Sequence, residues 1–547
     1  MAVSHRFCFA LFCVSLAIAS SPSQVMPQSV GVAPGRDLPR WLDSWSPLSV
    51  EGDLPRRLPS ASVAMPLLLL PVPKIGLFWS GGNPGAMRWE VDDQRNDISA
   101  VRAGQDGDYR RPLDPAAATV TRASGMGWQP LGARGAVIGR ALFDRTIRDP
   151  SSVSDMNESY SSSPFVVTDT SASALRTSRS RLEGAGGWRL GDWGLGVALG
   201  YDARTTATVA SPFLRRNRAV SPAATVGMVR SFRQGSFKAG VRGSWRGGEE
   251  TINLIEVAQE GIVFQLEGYR EVPRQDIVGG YFRRVSRDTR SAGLSLGGTI
   301  GAASWVAYGD GMRLRDELTG QQQDDPVTEL WATSGVNAGA ALQWPFARRN
   351  ASFTVQGRIA TLDGHAEQVF PARRGLSTSE RVAYGSAQFR LLPVSRRWTA
   401  VIDASILGEH RERNDSVAGA STTIDGITPG IAVEVGGSVT RALMVSGGYA
   451  IARYGGSGTI PSANSRGPLY RRVFAPELDM ATSVSRSQAV LVAAQWQAGP
   501  ATAVWLAGRL ERLEPGSVDQ SFAPGGDRMA RSVVFGVTLA PSNSGER

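Results

Sequence analysis

From about Ser99 onward the chain alternates apolar and polar residues, and it joins the alternating runs in a fixed order, a short turn followed by a long polar stretch. A period of two puts successive side chains on opposite faces of a strand. Gly430 to Thr440 sets Ile431, Val433, Val435 and Val439 against Glu434, Ser438 and Thr440. Asp192 to Asp202, Phe237 to Arg246, Ser352 to Ile359 and Trp398 to Ile406 divide in the same way. Tight turns fall near 190–191, 234–235, 301–302, 347–350, 393–397, 440–441 and 499–500. Long polar stretches separate them at 206–221, 249–288, 318–328, 363–380, 409–428, 455–485 and 515–527. A soluble sandwich has no reason to keep that order. A barrel that crosses a membrane has short turns on one rim and long loops on the other.

Charge placement leads to the same fold. An Arg or Lys facing lipid at mid-bilayer costs about 2–4 kcal/mol, so a lipid-facing wall must be free of charge where the opposite face need not be. In the five runs above, Asp192, Asp202, Lys238, Arg242, Arg246, Arg358, Asp403 and Glu434 all fall on the polar face. So many charges require a wet lumen. Aromatic residues supply a third check, because amphipathic rings collect at both membrane interfaces. Trp188, Trp193, Trp305, Trp344, Trp398, Trp496 and Trp505 lie close to short turns, and Tyr201, Trp245, Tyr384, Tyr449 and Tyr454 close to long-loop ends.

The fold class expected is therefore all-β, a transmembrane antiparallel β-barrel of about 16–18 strands with short periplasmic turns and long extracellular loops. With 63 glycines and 31 prolines among 547 residues, a mainly helical fold is disfavoured. The formal charge of +10 comes from arginines spread along the chain rather than gathered in a patch, so no nucleic-acid partner is expected.

The N-terminus reads as an export signal. Phe7 to Ala19 is an apolar run broken by Ser15, and Ala17-Ile18-Ala19 supplies small residues for cleavage. Both cysteines, Cys8 and Cys13, fall within it, so the mature chain has no disulfide. Met65 to Trp79 is apolar but short and broken by Pro66, Pro71, Pro73 and Lys74, which excludes a spanning helix. The expected organisation is a signal peptide at 1–19, an irregular Pro-rich segment at 20–96 that enters or stoppers the lumen, a barrel at 97–540 and a tail at 541–547. Localisation in the bacterial outer membrane follows. Expected partners are outer-membrane lipids and lipopolysaccharide, with the barrel-assembly machinery during insertion.

Two resemblances are carried by short motifs. Trp79 to Met87 (WSGGNPGAM) resembles the Asn-Pro-Ala-type stretch before the first strand of long-chain fatty acid transporters of the outer membrane, with Gly85 where Ala is usual. That Asn-Pro segment, the run Gly107-Asp108-Tyr109-Arg110 and Ser163-Pro164-Phe165 followed by Asp169 are together similar to a family of uncharacterised outer-membrane β-barrel proteins of diderm bacteria, over about 75–540. The second resemblance implies location and architecture, and no site.

No reaction chemistry is expected. His365 and His410 are the only histidines of the mature chain and have no metal-ligand spacing around them. Ser405 and His410 point to opposite faces of one strand, so they form no dyad. Neither a cofactor nor a metal is expected. The lumen lining is the functional candidate: Arg140, Lys238, Arg242, Arg246, Arg358 and Arg390 against Asp202, Asp403 and Glu434. Such a lining either favours anionic solutes or pairs across the wall to brace it. The function expected is a passive or substrate-specific channel, a porin for small solutes. The alternatives are a fatty-acid-type hydrophobic transporter and a non-conducting structural or adhesive surface barrel, with a barrel lipase last.

Overall fold

The computed structural model describes residues 75–110, 115–149, 154–155, 165–169, 174–210, 213–232, 236–256, 263–267, 270–274, 281–319, 327–346, 351–368, 373–391, 398–459, 461, 470–471, 475–516 and 525–539. The expected signal peptide, most of the Pro-rich segment and the 541–547 tail lie outside the described residues. In chain order the strands are β1 (Arg95–Gly107), β2 (Ala117–Leu131), β3 (Gly135–Arg148), β4 (Ser154–Asp155), β5 (Phe165–Asp169), β6 (Ala174–Leu190), β7 (Trp193–Ala210), β8 (Phe213–Phe232), β9 (Phe237–Glu256), β10 (Val263–Glu267), β11 (Arg270–Arg274) and β12 (Tyr281–Ile300). They continue with β13 (Ala303–Thr319), β14 (Val327–Phe346), β15 (Ala351–Gln368), β16 (Arg373–Leu391), β17 (Trp398–Asp415), β18 (Ala420–Ser438), β19 (Leu443–Thr459), β20 (Val484–Gly499), β21 (Thr502–Pro515) and β22 (Arg528–Leu539).

Eighteen of these strands form one antiparallel sheet, which closes where β22 pairs back onto β1 with Ala100 opposite Phe535. Closure removes the sheet edges that lipid could not satisfy. The wall runs from Arg95 to Leu539. Strands β4, β5, β10 and β11 form a separate small sheet, built from the long connections after β3 and β9. No helix among the described residues is long and apolar enough to cross a membrane.

The outer skin is apolar. Leu199, Val226, Leu294, Ile359 and Val492 are exposed, while their strand neighbours Ala198, Thr225, Ser295, Ala360 and Ala493 are buried on the inner face. Exposure of this kind is stable only against lipid. Leu294 stands six residues from the turn after Ile300, about 15 Å up the wall at ~3.3 Å per residue and ~40° tilt. Leu294→Arg is therefore expected to cost about 2–4 kcal/mol of folding in lipid vesicles, measured by urea titration of heat-modifiable gel mobility. Equal stability of the two proteins would contradict a lipid-facing wall.

The strands are longer than the alternation suggests. Residues 206–221 and 409–428 read as loops, yet β7 and β8 are separated only by 211–212, and β17 and β18 only by 416–419. Twenty-residue strands such as β9 and β12 reach about 50 Å in height, against an apolar band of ~25 Å. Above the lipid both faces are wet, so the apolar period fades while the hydrogen-bonded ladder continues.

Candidate functional site

Of the Pro-rich segment, 75–96 is described; its last two residues open β1, and the stretch 75–93 packs at the short-turn end of the barrel, with Leu77, Phe78 and Met87 buried against the inner wall. Its backbone folds into a knot: Gly82 N–H donates to Phe78 O at 2.9 Å, and Asn83 N–H to Leu77 O at 2.9 Å. Gly82 has φ +62°, which glycine adopts without strain. Asn83 caps the short 3-10 turn Pro84–Ala86, its Oδ1 accepting the Gly85 N–H at 3.0 Å. One further helical turn, Met87–Glu90, brings the Glu90 carboxylate back to accept the Phe78 and Trp79 N–H groups at 2.9 and 3.2 Å. Burial pushes the Glu90 carboxyl above the ordinary glutamate range, against the opposing pull of Lys238 and of those N–H groups.

The knot is apolar on the outside. Leu77, Phe78, Trp79, Ala86, Met87 and Val91 form one buried cluster with wall residues Met126, Trp128, Ile138, Ala198, Val229 and Val306. The Trp79 and Trp128 rings meet edge-on at 5.9 Å. The Asn83 amide donates to the wall carbonyl of Val241 at 3.1 Å. Trp89 is flanked by Arg189 at 5.9 Å and Lys238 at 5.7 Å, within the range of a cation–π contact. Arg88 donates to Gly132 O at 3.0 Å, tying the knot to a short turn.

Seating depends on a patch of wall without side chains. A Cβ at Gly196 would lie 2.2 Å from Pro84 O, one at Gly227 2.1 Å from Asn83 Oδ1, and one at Gly187 2.7 Å from Pro84 O. The contact also works in reverse. A Cβ at Gly85 would lie 2.8 Å from Gly227 O, so a side chain there would press on the wall backbone.

Above the knot the lumen is lined with paired charges. Arg242 holds Asp310 through two hydrogen bonds of 2.8 and 2.6 Å, and Arg358 donates to Asn337 at 2.6 Å. Arg140 lies 3.6 Å from Glu183, which Arg181 also meets. Asp202 pairs with Arg179. Asp403 accepts from Gln388 at 3.3 Å, Arg390 is within electrostatic reach of Glu434, and Arg246 shares the inner face of β9 with Arg242. Lys238 serves the knot rather than open lumen. Asp310, Asn337 and Glu183 were not singled out by sequence reading, although each lies on the polar face of its strand.

Most of the expected interface aromatics do face outward. Trp193, Trp344 and Trp398 are exposed near the short-turn rim, and Trp305 is half-buried beside Phe237. Tyr201, Trp245 and Tyr449 are exposed toward the other rim. Trp505 is a correction: only 2% exposed, it lies on the inner face with Val101, Ala507 and Val534. Gly536, directly opposite, leaves room for its ring, since a Cβ there would lie 2.2 Å from it. Tyr384 and Tyr454 are likewise buried on the inner face, and the Tyr454 hydroxyl donates to Ala481 O. His410 faces outward while Ser405 is buried inside, as alternation requires.

Residues 86–497 match the model of the Family of unknown function (DUF6850). The chain belongs to that family. The match leaves out Asn83-Pro84-Gly85 and the whole of the last two strands, so it is narrower than the span of the motif resemblance. No curated protein matches this DUF6850 member in sequence. Similar solved structures include the ferric citrate transporter FecA, with TM-score 0.41, 8% identity and coverage of 81% of this chain and 78% of that one. The siderophore receptor PiuA from Acinetobacter baumannii gives 0.39, 7%, and 81% of both chains. The TodX monoaromatic hydrocarbon channel gives 0.28, 10%, and 84% and 93%. At these values the likenesses carry no argument about a solute, and no link to fatty acid transporters is found among them.

Proposed function

We propose that this DUF6850 protein is an outer-membrane channel for small polar solutes, exported by the signal at 1–19, inserted by the barrel-assembly machinery and kept closed or narrowed by its own N-terminal knot. The observation that supports this reading most is the glycine-lined seat, which gives residues 75–93 a shaped place inside a barrel of porin-like strand number. An N-terminal segment inside the barrel also suits a hydrophobic transporter. The polar wall above the knot, with Thr177, Thr225, Arg181, Glu183 and Asp310 buried on it, favours the polar solute.

Purified full-length protein in planar bilayers is expected to show small discrete conductance steps. A closed record at every voltage would favour a structural barrel. Because the luminal Arg140, Arg242 and Arg390 are matched by Glu183, Asp310 and Glu434, reversal potentials in a salt gradient are expected to show weak ion selectivity, and a strong anion preference would require an unpaired cationic constriction.

A further inference from the structure

The outer wall carries a cavity of about 530 Å³ where β15 to β19 meet toward the external rim. Its floor is apolar and low, formed by Ala383 and Gly408 between the exposed flanks Ile359 and Ile427. Its rim carries Arg381, His410 and Asp425, which are direct cross-strand neighbours: Arg381 opposite His410, and His410 opposite Asp425. His410 lies twelve residues along β17 from Trp398, about 40 Å along the strand and ~30 Å across the bilayer after tilt. With Trp398 at one interface, the rim of the cavity lies at the level of the opposite headgroups.

The charges sort by height. Asp425 is engaged by His410 Nδ1 at 2.8 Å. Asp363 and Glu412 face outward two residues further toward the external end and do not line the cavity. Arg381 is exposed on the outer face, and among the described residues it has no ion pair or hydrogen bond. The cavity thus sets one available guanidinium above an apolar trough, at the depth where a lipid phosphate meets its acyl chains. Guanidinium groups hold phosphate oxygens through paired, charge-assisted bonds, and a volume of this size suits a ligand anchor.

We infer that this cavity seats a phosphorylated outer-leaflet lipid of the lipid A class, with its phosphate on Arg381 and an acyl chain over Ala383 and Gly408. Native mass spectrometry of the full-length protein, released from detergent after incubation with bis-phosphorylated lipid A, tests the assignment. The wild type is expected to retain the lipid, Arg381→Lys to retain most of it, and Arg381→Gln to lose about tenfold in apparent affinity, the worth of one charged hydrogen-bonded pair. Gly408→Leu, which fills the trough and leaves the charge, is expected to lose it as well. Heat-modifiable migration establishes that each variant is folded. Equal retention by wild type, Arg381→Gln and Gly408→Leu, or equal binding of a dephosphorylated analogue, would overturn the assignment. Competition by millimolar inorganic phosphate alone would reassign the cavity to a free anion and overturn it too.

Discussion

Deleting residues 20–93 behind an intact signal is expected to raise single-channel conductance several-fold and to leave the barrel closed. The wall does not need the knot for closure: every strand of the eighteen is paired on both sides within the sheet, including β1 with β22. What the deletion removes is the filling of the short-turn end, where Leu77, Phe78, Trp79 and Met87 occupy space between β2, β3, β6, β7 and β8. A barrel of this strand number leaves an aqueous channel once nothing fills it. An unchanged conductance in planar bilayers would show that the ion path runs past the knot and that the segment is no stopper.

The same deletion has an energetic signature. Burying a large apolar side chain is worth about 1.5–3 kcal/mol, and the knot buries several against Met126, Trp128, Ile138, Val229 and Val306. Without it those wall residues become wet, and thermal unfolding in detergent is expected to start at a lower temperature. The unfolded product and the gel shift of the folded form should be the same as for the wild type, because the ladder itself is untouched.

How much of this was legible in the sequence depends on which force placed each residue. The wall was legible because lipid is an unforgiving solvent: Ile431, Val433 and Val435 face out, and Glu434 is buried within, as their alternation requires. Trp505 was misplaced by its nearness to a turn. Its register with Arg509 and Glu511, both on the inner face, was the better guide, and Leu506 and Leu510 are the exposed residues of that strand. The pairing of the luminal arginines was not legible, since Arg242 and Asp310 are 68 residues apart and meet only through strand order. The seat of the knot did leave a trace. Gly187, Gly194, Gly196, Gly227 and Gly240 all fall on inner faces of neighbouring strands, where a channel lining would normally carry side chains. A glycine patch on a wet face signals that another part of the chain lies against it.

That patch allows the knot to be displaced without deleting it. Gly227→Val places a branched side chain where even the Cβ would lie 2.1 Å from Asn83 Oδ1 and 2.8 Å from the Pro84 ring. The obstacle is the helix cap itself rather than the end of a flexible side chain, so the Asn83–Pro84–Gly85 turn has to leave its seat. Leaving also breaks the Asn83 bond to Val241 O, about 1–3 kcal/mol for a buried donor left without its acceptor. The expected result is a conductance close to that of the 20–93 deletion. Gly243→Val is the control, because nothing lies within 4 Å of a Cβ at that position, and it should behave as the wild type. The two changes must also be non-additive, since they act through one contact: in the deletion background Gly227→Val should add nothing. A further increase there would mean that the valine widens the wall on its own account and that the glycines serve the barrel rather than the knot.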